Sequence, residues 1–309
     1  MIFYINIGKV TYNEAWRLVS SVSDKNKGIL LMLISSMGFS LMAMFVKLAG
    51  DISSIQKTLI RNAVSMVIAF GFVVYYKERL LGKKENQKFL LLRSVLGAAG
   101  VILNFYAIDH LVLSDADMLN KMSPFITIIF AAIFLKEFVV RFQIVSIIIA
   151  FLGSLFIIKP TFNLDMIPYM AGILSAVFAG GAYTVLRLLG NKEQFYTVVF
   201  YFSAFTTVTL LPYVIIFYEP MTLKQWIYLL AGGFFATIGQ FGITVSYKYA
   251  PPKEVSIFSY ATVVYAGIIS IVMFGEIPDL WSILGYIAIF GASFYMFIRN
   301  NKDFKEVEQ

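Results

Sequence analysis

Asp117 and Lys121 stand four residues apart in "DADMLNKMSPF", residues 115–125. That spacing sets a carboxylate and an ammonium one turn apart on one helix face. Such a pair can grip a charged solute, relay a proton, or only neutralise itself. Asn120 and Ser123 flank Lys121 and make the turn polar. Pro124 lacks an N–H, so the Asn120 carbonyl loses its helical donor, and a local kink is expected there. Immediately after comes "ITIIFAAIFL" (126–135), which has no charge at all. Other polar groups are isolated within apolar runs in the same way: Arg61, Arg93, Asn104, Tyr183, Gln240, Ser256 and Tyr260.

The elements that must position these groups follow from composition. The chain has 309 residues, 59% hydrophobic and only 14% charged, where a soluble domain has about a quarter charged. Its apolar runs are continuous for about twenty residues, which is the helical way to cross a bilayer, not the alternating pattern of a barrel. Ten runs are legible: 28–47, 55–76, 88–108, 113–135, 139–158, 167–188, 195–218, 225–247, 254–275 and 280–298. These are spans 1 to 10. The opening "MIFYINIGKV" does not read as a signal peptide, and residues 1–26 are expected to be a cytoplasmic tail. Residues 301–309 form a second tail.

Ten spans put both ends of the chain on one side. If that side is cytoplasmic, eighteen of the 25 Lys and Arg flank the spans inside and four outside. This asymmetry fixes the expected orientation, both termini cytoplasmic in a multi-pass plasma-membrane protein. It also explains the net charge of +7 without a nucleic-acid partner. With no cysteine and one histidine, His110, neither a disulfide framework nor a metal site is expected. Phosphate loops, nucleophile elbows and paired-His motifs are lacking. Catalytic residues and cofactors are therefore not assigned, and transport would have to draw on a gradient or exchange.

Shifting the chain by 139 residues lays its second half on its first. Gly100 falls on Gly239, Glu137 on Glu276, Ile144 on Ile283, Ile148 on Ile287, Phe151 on Phe290 and Ser154 on Ser293. "KLAG" (47–50) meets "RLLG" (187–190) with one residue of gap. Each half holds five spans, an odd number, so the second half must run through the membrane inverted. The expected fold is all-α integral membrane, ten transmembrane helices as two inverted five-helix repeats, 27–160 and 161–300. That architecture belongs to secondary carriers that rock around a site near the midplane.

"SPFITIIFAAIFLKE" (123–137), its counterpart "SYATVVYAGIISIVMFGE" (259–276) and the link "NFYAIDHLVLSDADML" (104–119) resemble the EamA family of the drug/metabolite transporter superfamily. The resemblance covers about residues 27–300. It implies the fold, a small-molecule substrate, and a central cavity lined by spans 1, 3, 4, 6, 8 and 9. It does not specify the substrate.

Depth then sorts the candidates. Lys121 lies about 12 Å into span 4, near the middle of a roughly 30 Å core. Its stem recovers only part of that depth by snorkelling, so it should face protein or a wet cavity. Two readings stay open: a cavity lysine, or an internal pair with Asp117 that merely orients span 4. The 139 shift places Ser256, Ser259 and Tyr260 opposite Asp117, Asn120 and Lys121, hydroxyls facing charges. Arg61 lies about 9 Å into span 2, and a snorkelling anchor competes there with a substrate contact. Arg93, Gly97, Gly100 and Asn104 share one helix face; Arg93 reads as a snorkelling residue on a packing seam and Asn104 as facing the cavity. Asp109, His110 and Asp115 read as a solvated loop and possible gate, Glu137 and Glu276 as structural caps.

The substrate-binding candidates are thus Lys121, Asn120, Asn104, Gln240, Tyr260, Ser256, Tyr183 and Arg61, with Asp117 and Lys121 for a coupling proton. The expectation is a secondary transporter of an anionic or zwitterionic metabolite, such as an amino acid or organic acid. The partners are that substrate and the bilayer, as monomer or homodimer. The alternatives are a cation or drug exporter of the same fold and, from another class, a membrane enzyme acting on lipid.

Overall fold

In a bilayer every backbone N–H and C=O must find its partner within the protein, and the apolar runs find theirs as helices. The structure, a computed structural model, describes residues 24–136, 138–159, 166–189, 192–249 and 255–307, without the side chains of Arg187, Tyr247, Lys248, Ser256 and residues 300–307. Among the described residues, ten helical segments are long and apolar enough to cross a membrane: Asp24–Leu48, Ser54–Tyr75, Lys84–His110, Leu113–Leu135, Arg141–Ile158, Ile167–Leu186, Phe195–Ile216, Leu223–Ser246, Ile257–Phe274 and Leu280–Arg299. They correspond one to one with spans 1 to 10.

The first helix starts at Asp24, just inside the expected tail, and the last runs on to Val307. Most of the tail expected at 301–309 is therefore a continuation of span 10. Residues 1–23 and Glu137 lie outside the described residues.

Spans 4 and 9 are the irregular ones. Span 4 is two helices, Leu113–Asn120 and Ser123–Leu135, separated at Lys121 and Met122. A kink at Pro124 inside one helix was the expectation; instead the helix stops earlier and restarts, with Pro124 in the new first turn. Proline fits there because the first turn has no intrahelical acceptor for its missing N–H. Span 9 opens with a 3-10 segment, Ser256–Tyr260, continues as Ala261–Ile269 and closes with a π turn, Ser270–Phe274. Both spans end on a left-handed residue, Lys136 at φ 55° and Gly275 at φ 66°, which are equivalent under the 139 shift.

The packing repeats in the same way. Span 1 packs on span 8 as span 3 does on span 6, span 4 packs on span 6 as span 9 does on span 1, and spans 5 and 10, like 2 and 7, pair with each other. Close approach needs small residues. A Cβ on Gly38 would sit 2.9 Å from the backbone nitrogen of Gly239, and one on Gly285 2.6 Å from the carbonyl of Gly153. Leu30, Val67, Leu152 and Ile287 are exposed on the outside of the bundle, where lipid would cover them. Phe105, Met118, Leu119, Phe125 and Val263 are buried at its centre. That centre holds the broken segment of span 4.

Candidate substrate site where the repeats cross

The Tyr260 hydroxyl donates to the Lys121 carbonyl at 3.1 Å. These residues are 139 apart, the repeat interval itself. Under a two-fold relation, equivalent positions touch only where they lie on the axis. The break in span 4 and the 3-10 segment of span 9 therefore meet on the pseudo-two-fold axis. Tyr260 is buried and also hydrogen-bonds Ser293 Oγ; since its one hydrogen serves Lys121, Ser293 donates to it. The break frees the Lys121 carbonyl from helical bonding, and Tyr260 of the other repeat supplies the missing donor.

Around this crossing the polar groups are only partly satisfied. The Lys121 N–H donates to the Asp117 carbonyl at 3.1 Å, but the two side chains do not form one of the ion pairs found among the described residues. Asp117 is 7% exposed and its Oδ2 has no hydrogen-bond partner among the described residues. The closed internal pair is thus not formed, although Lys121 caps the helix one turn beyond Asp117. Asn120 Nδ2 donates to Ser175 Oγ of span 6 at 3.0 Å. Asn104 Oδ1, on span 3, is buried without a partner. Gln240 is half-buried on span 8, and its carbonyl accepts the Thr244 hydroxyl at 2.7 Å. The Ser256 side chain is outside the described residues.

Arg61 and Tyr183 belong to another cluster. Neither Arg61 nor Arg93 snorkels as expected; they are 2% and 6% exposed. Their guanidinium carbons lie 5.9 Å and 4.0 Å from the centre of the Phe202 ring on span 7. Tertiary packing overrode the reading from position along the span: span 7 sets Phe202 against both arginines.

At the Lys47 end of the bundle the charges are paired. Lys57, fully buried, holds Asp109 at 2.6 Å. Lys47 bridges Glu276 at 2.6 Å and donates to the Leu111 carbonyl at 2.7 Å, while Tyr286 donates to Asp115. Lys159 pairs with Asp279, whose carboxyl is held below its ordinary value first by that hydrogen bond. The solvated-loop reading of Asp109 and Asp115 is corrected: Asp115 is 3% exposed and each carboxylate has a donor from another span. His110 alone of that group is exposed. Ser175, Ser293 and Tyr286 were not singled out from sequence; Ser293 could have been, since the repeat alignment already marked it.

A ten-span inverted repeat with an underbonded polar crossing at its centre is the architecture of a membrane transporter. The profile of the EamA-like transporter family matches residues 26–159 and 166–298, and the chain belongs to that family. The pseudopaline exporter CntI of Pseudomonas aeruginosa is 32% identical over 268 residues, 85% of this chain and 93% of that protein. Human solute carrier family 35 member G1 is 27% identical, over 85% of this chain and 76% of its own length. A crystal structure of TM-score 0.65 and 14% identity covers 90% of this chain and 98% of that one, a likeness of fold alone.

Proposed function

We propose that this chain is a secondary transporter that works by alternating access and moves a small zwitterionic or anionic metabolite, an amino acid or organic acid, past Lys121. The observation that carries this is the crossing itself: a lysine at a helix break on the repeat axis, beside a buried Asp117 oxygen with no partner. Broken helices at the midplane expose backbone and side-chain groups to solute in inverted-repeat carriers. Lys121 would meet the anionic group of the solute. Asp117 would meet its ammonium, or take a coupling proton in its place. Asn104, Asn120, Gln240, Tyr260 and Ser256 would complete the hydrogen bonding.

Positive-inside asymmetry supports both termini on the cytoplasmic side of the plasma membrane, which turns the ion-paired Lys47 end outward. The relative named as an exporter supports outward transport. The unpartnered Asp117 Oδ2 also favours a second reading, an exporter of cations or drugs in which Asp117 is the main ligand.

Proteoliposome transport of labelled amino and organic acids, against cationic dyes, separates the two. Lys121→Met should lower acid transport at least tenfold and spare any cation transport, while Asp117→Asn should remove the pH dependence. If both variants transport acids with the wild-type rate and pH profile, the proposal is wrong.

A further inference from the structure

Two positive charges are buried together, and no described residue neutralises them. Arg61 on span 2 donates from Nη1 to Asn62 Oδ1 at 3.0 Å. Arg61 Nε, Arg93 Nε and Arg93 Nη1 are buried with no hydrogen-bond partner among the described residues. The ion pairs among the described residues involve lysines, and neither arginine takes part. Both guanidinium groups lie near one Phe202 ring, so they are close enough to repel each other, and Arg93 acts electrostatically on Arg61.

The site is shaped around them. A Cβ on Gly97 would come within 2.9 Å of the Phe202 ring and 3.1 Å of Arg93 Nη1. The glycine therefore gives the guanidinium room to lie back along span 3 against the ring. Tyr183 of span 6 is 38% exposed. Removing a guanidinium from water is costly unless an opposite charge and hydrogen bonds replace the water. Phe202 offers a ring face to the cations, but no acceptor for the bare N–H groups. The missing component is an oxyanion. Guanidinium forks match carboxylate and phosphate geometry, and two forks together suit a group with two negative charges or two carboxylates.

We propose that Arg61 and Arg93, with Phe202 and Tyr183, form a second substrate subsite that binds an oxyanion. The transported solute then carries an acidic group beyond the one met by Lys121. This rests on the carrier reading and narrows its substrate class to dicarboxylates or phosphate-bearing metabolites.

The test uses the purified full chain in zwitterionic detergent, with succinate, inorganic phosphate, acetate and chloride at matched ionic strength. A ligand that binds only the folded protein raises its melting temperature. Succinate or phosphate should raise it by several degrees, with acetate and chloride weaker. Arg93→Gln and Arg61→Gln should each shift the succinate midpoint at least tenfold upward, and Arg93→Lys should retain more of the response than Arg93→Gln. Should a Gln variant fail to fold, Arg61→Met/Arg93→Met, which removes both unpaired charges, should fold and show no succinate response.

A succinate response that survives in the double variant, or that chloride equals, overturns the proposal. So does protection by phosphatidylglycerol vesicles with none by succinate, since the occupant would then be a lipid phosphate. Lys121→Met should weaken the succinate shift but keep the inorganic phosphate shift, because phosphate engages the arginines alone. Loss of the shift with Lys121-dependent transport intact defeats only this inference; a shift without any acid transport defeats only the carrier reading of Lys121.

Discussion

The Lys47 end and the middle of the bundle treat charge in opposite ways. At the end, Lys47, Lys57 and Lys159 each hold a carboxylate from a distant part of the chain. In the middle, Asp117 Oδ2 and three guanidinium nitrogens have no partner. Apart from Lys57, the middle is the more buried of the two, so water does not make up for the partners its charges lack. Paired charges fix spans against each other, and two of these pairs, Lys47–Glu276 and Lys159–Asp279, join one repeat to the other. Unpaired charges in a low-dielectric interior raise the free energy of the empty protein and are relieved by whatever solute completes them. The comparison reads the end as a latch and the middle as a binding region.

The largest effect should come from unpairing the most buried latch. Lys57 has no exposed side-chain surface and Asp109 is its only ion-pair partner among the described residues. Asp109→Asn would strand a buried ammonium, which costs about 3–5 kcal/mol. The melting temperature in detergent should fall sharply. Lys57→Met/Asp109→Leu, which removes both charges, should recover most of the loss. A single variant that melts with the wild type would show that Lys57 does not depend on the pair, and the contrast between end and middle would lose its basis.

An intermediate effect is expected where the repeats cross. Tyr260→Phe removes the donor to the Lys121 carbonyl and the acceptor for Ser293, worth about 0.5–1.5 kcal/mol for each bond net. Ser293→Ala removes one of the same bonds. The two substitutions share that bond, so their combined cost should fall short of the sum. Full additivity in a double-mutant cycle would mean that the tyrosine and serine act independently, and would sharpen the comparison by confining the linked bonds to the Lys47 end.

Much of this is legible in the sequence, for physical reasons. A bilayer demands about twenty apolar residues per helix, so the ten spans announce themselves. Gly100 with Gly239, and Glu276 with Glu137, mark the register because close packing and helix termination tolerate few substitutes. Pairing across the bundle was not legible. Asp109 lies 52 residues from Lys57, and Asp115 lies 171 from Tyr286, so each read as solvated loop. Arg93 read as snorkelling because nothing along span 3 reveals that span 7 places Phe202 over it. The break at Lys121 was assigned to Pro124, three residues late. Proline shows which N–H is missing; where the helix stops also depends on the acceptor that Tyr260 finds in the opposite repeat.

The smallest effect belongs to the most exposed latch. Asp279 is half exposed and pairs with Lys159, itself about one-third exposed. Its carboxyl titrates below its ordinary value of 3.8 because the charged form accepts hydrogen bonds from Lys159 and from the Ser282 backbone. A depressed folded-state value favours the folded protein wherever the carboxylate is ionised. That contribution is complete above about pH 5, and it disappears as the pH falls below 3.8 through the lower folded value. Solvent screening keeps the pair to about 0–1 kcal/mol. Asp279→Asn should therefore lower the melting temperature slightly at neutral pH, and less in high salt. The difference from wild type should vanish in acid. A variant as strongly destabilised as Asp109→Asn would show that exposure does not grade the latches, and that the inter-repeat position of Asp279 matters more than its access to water.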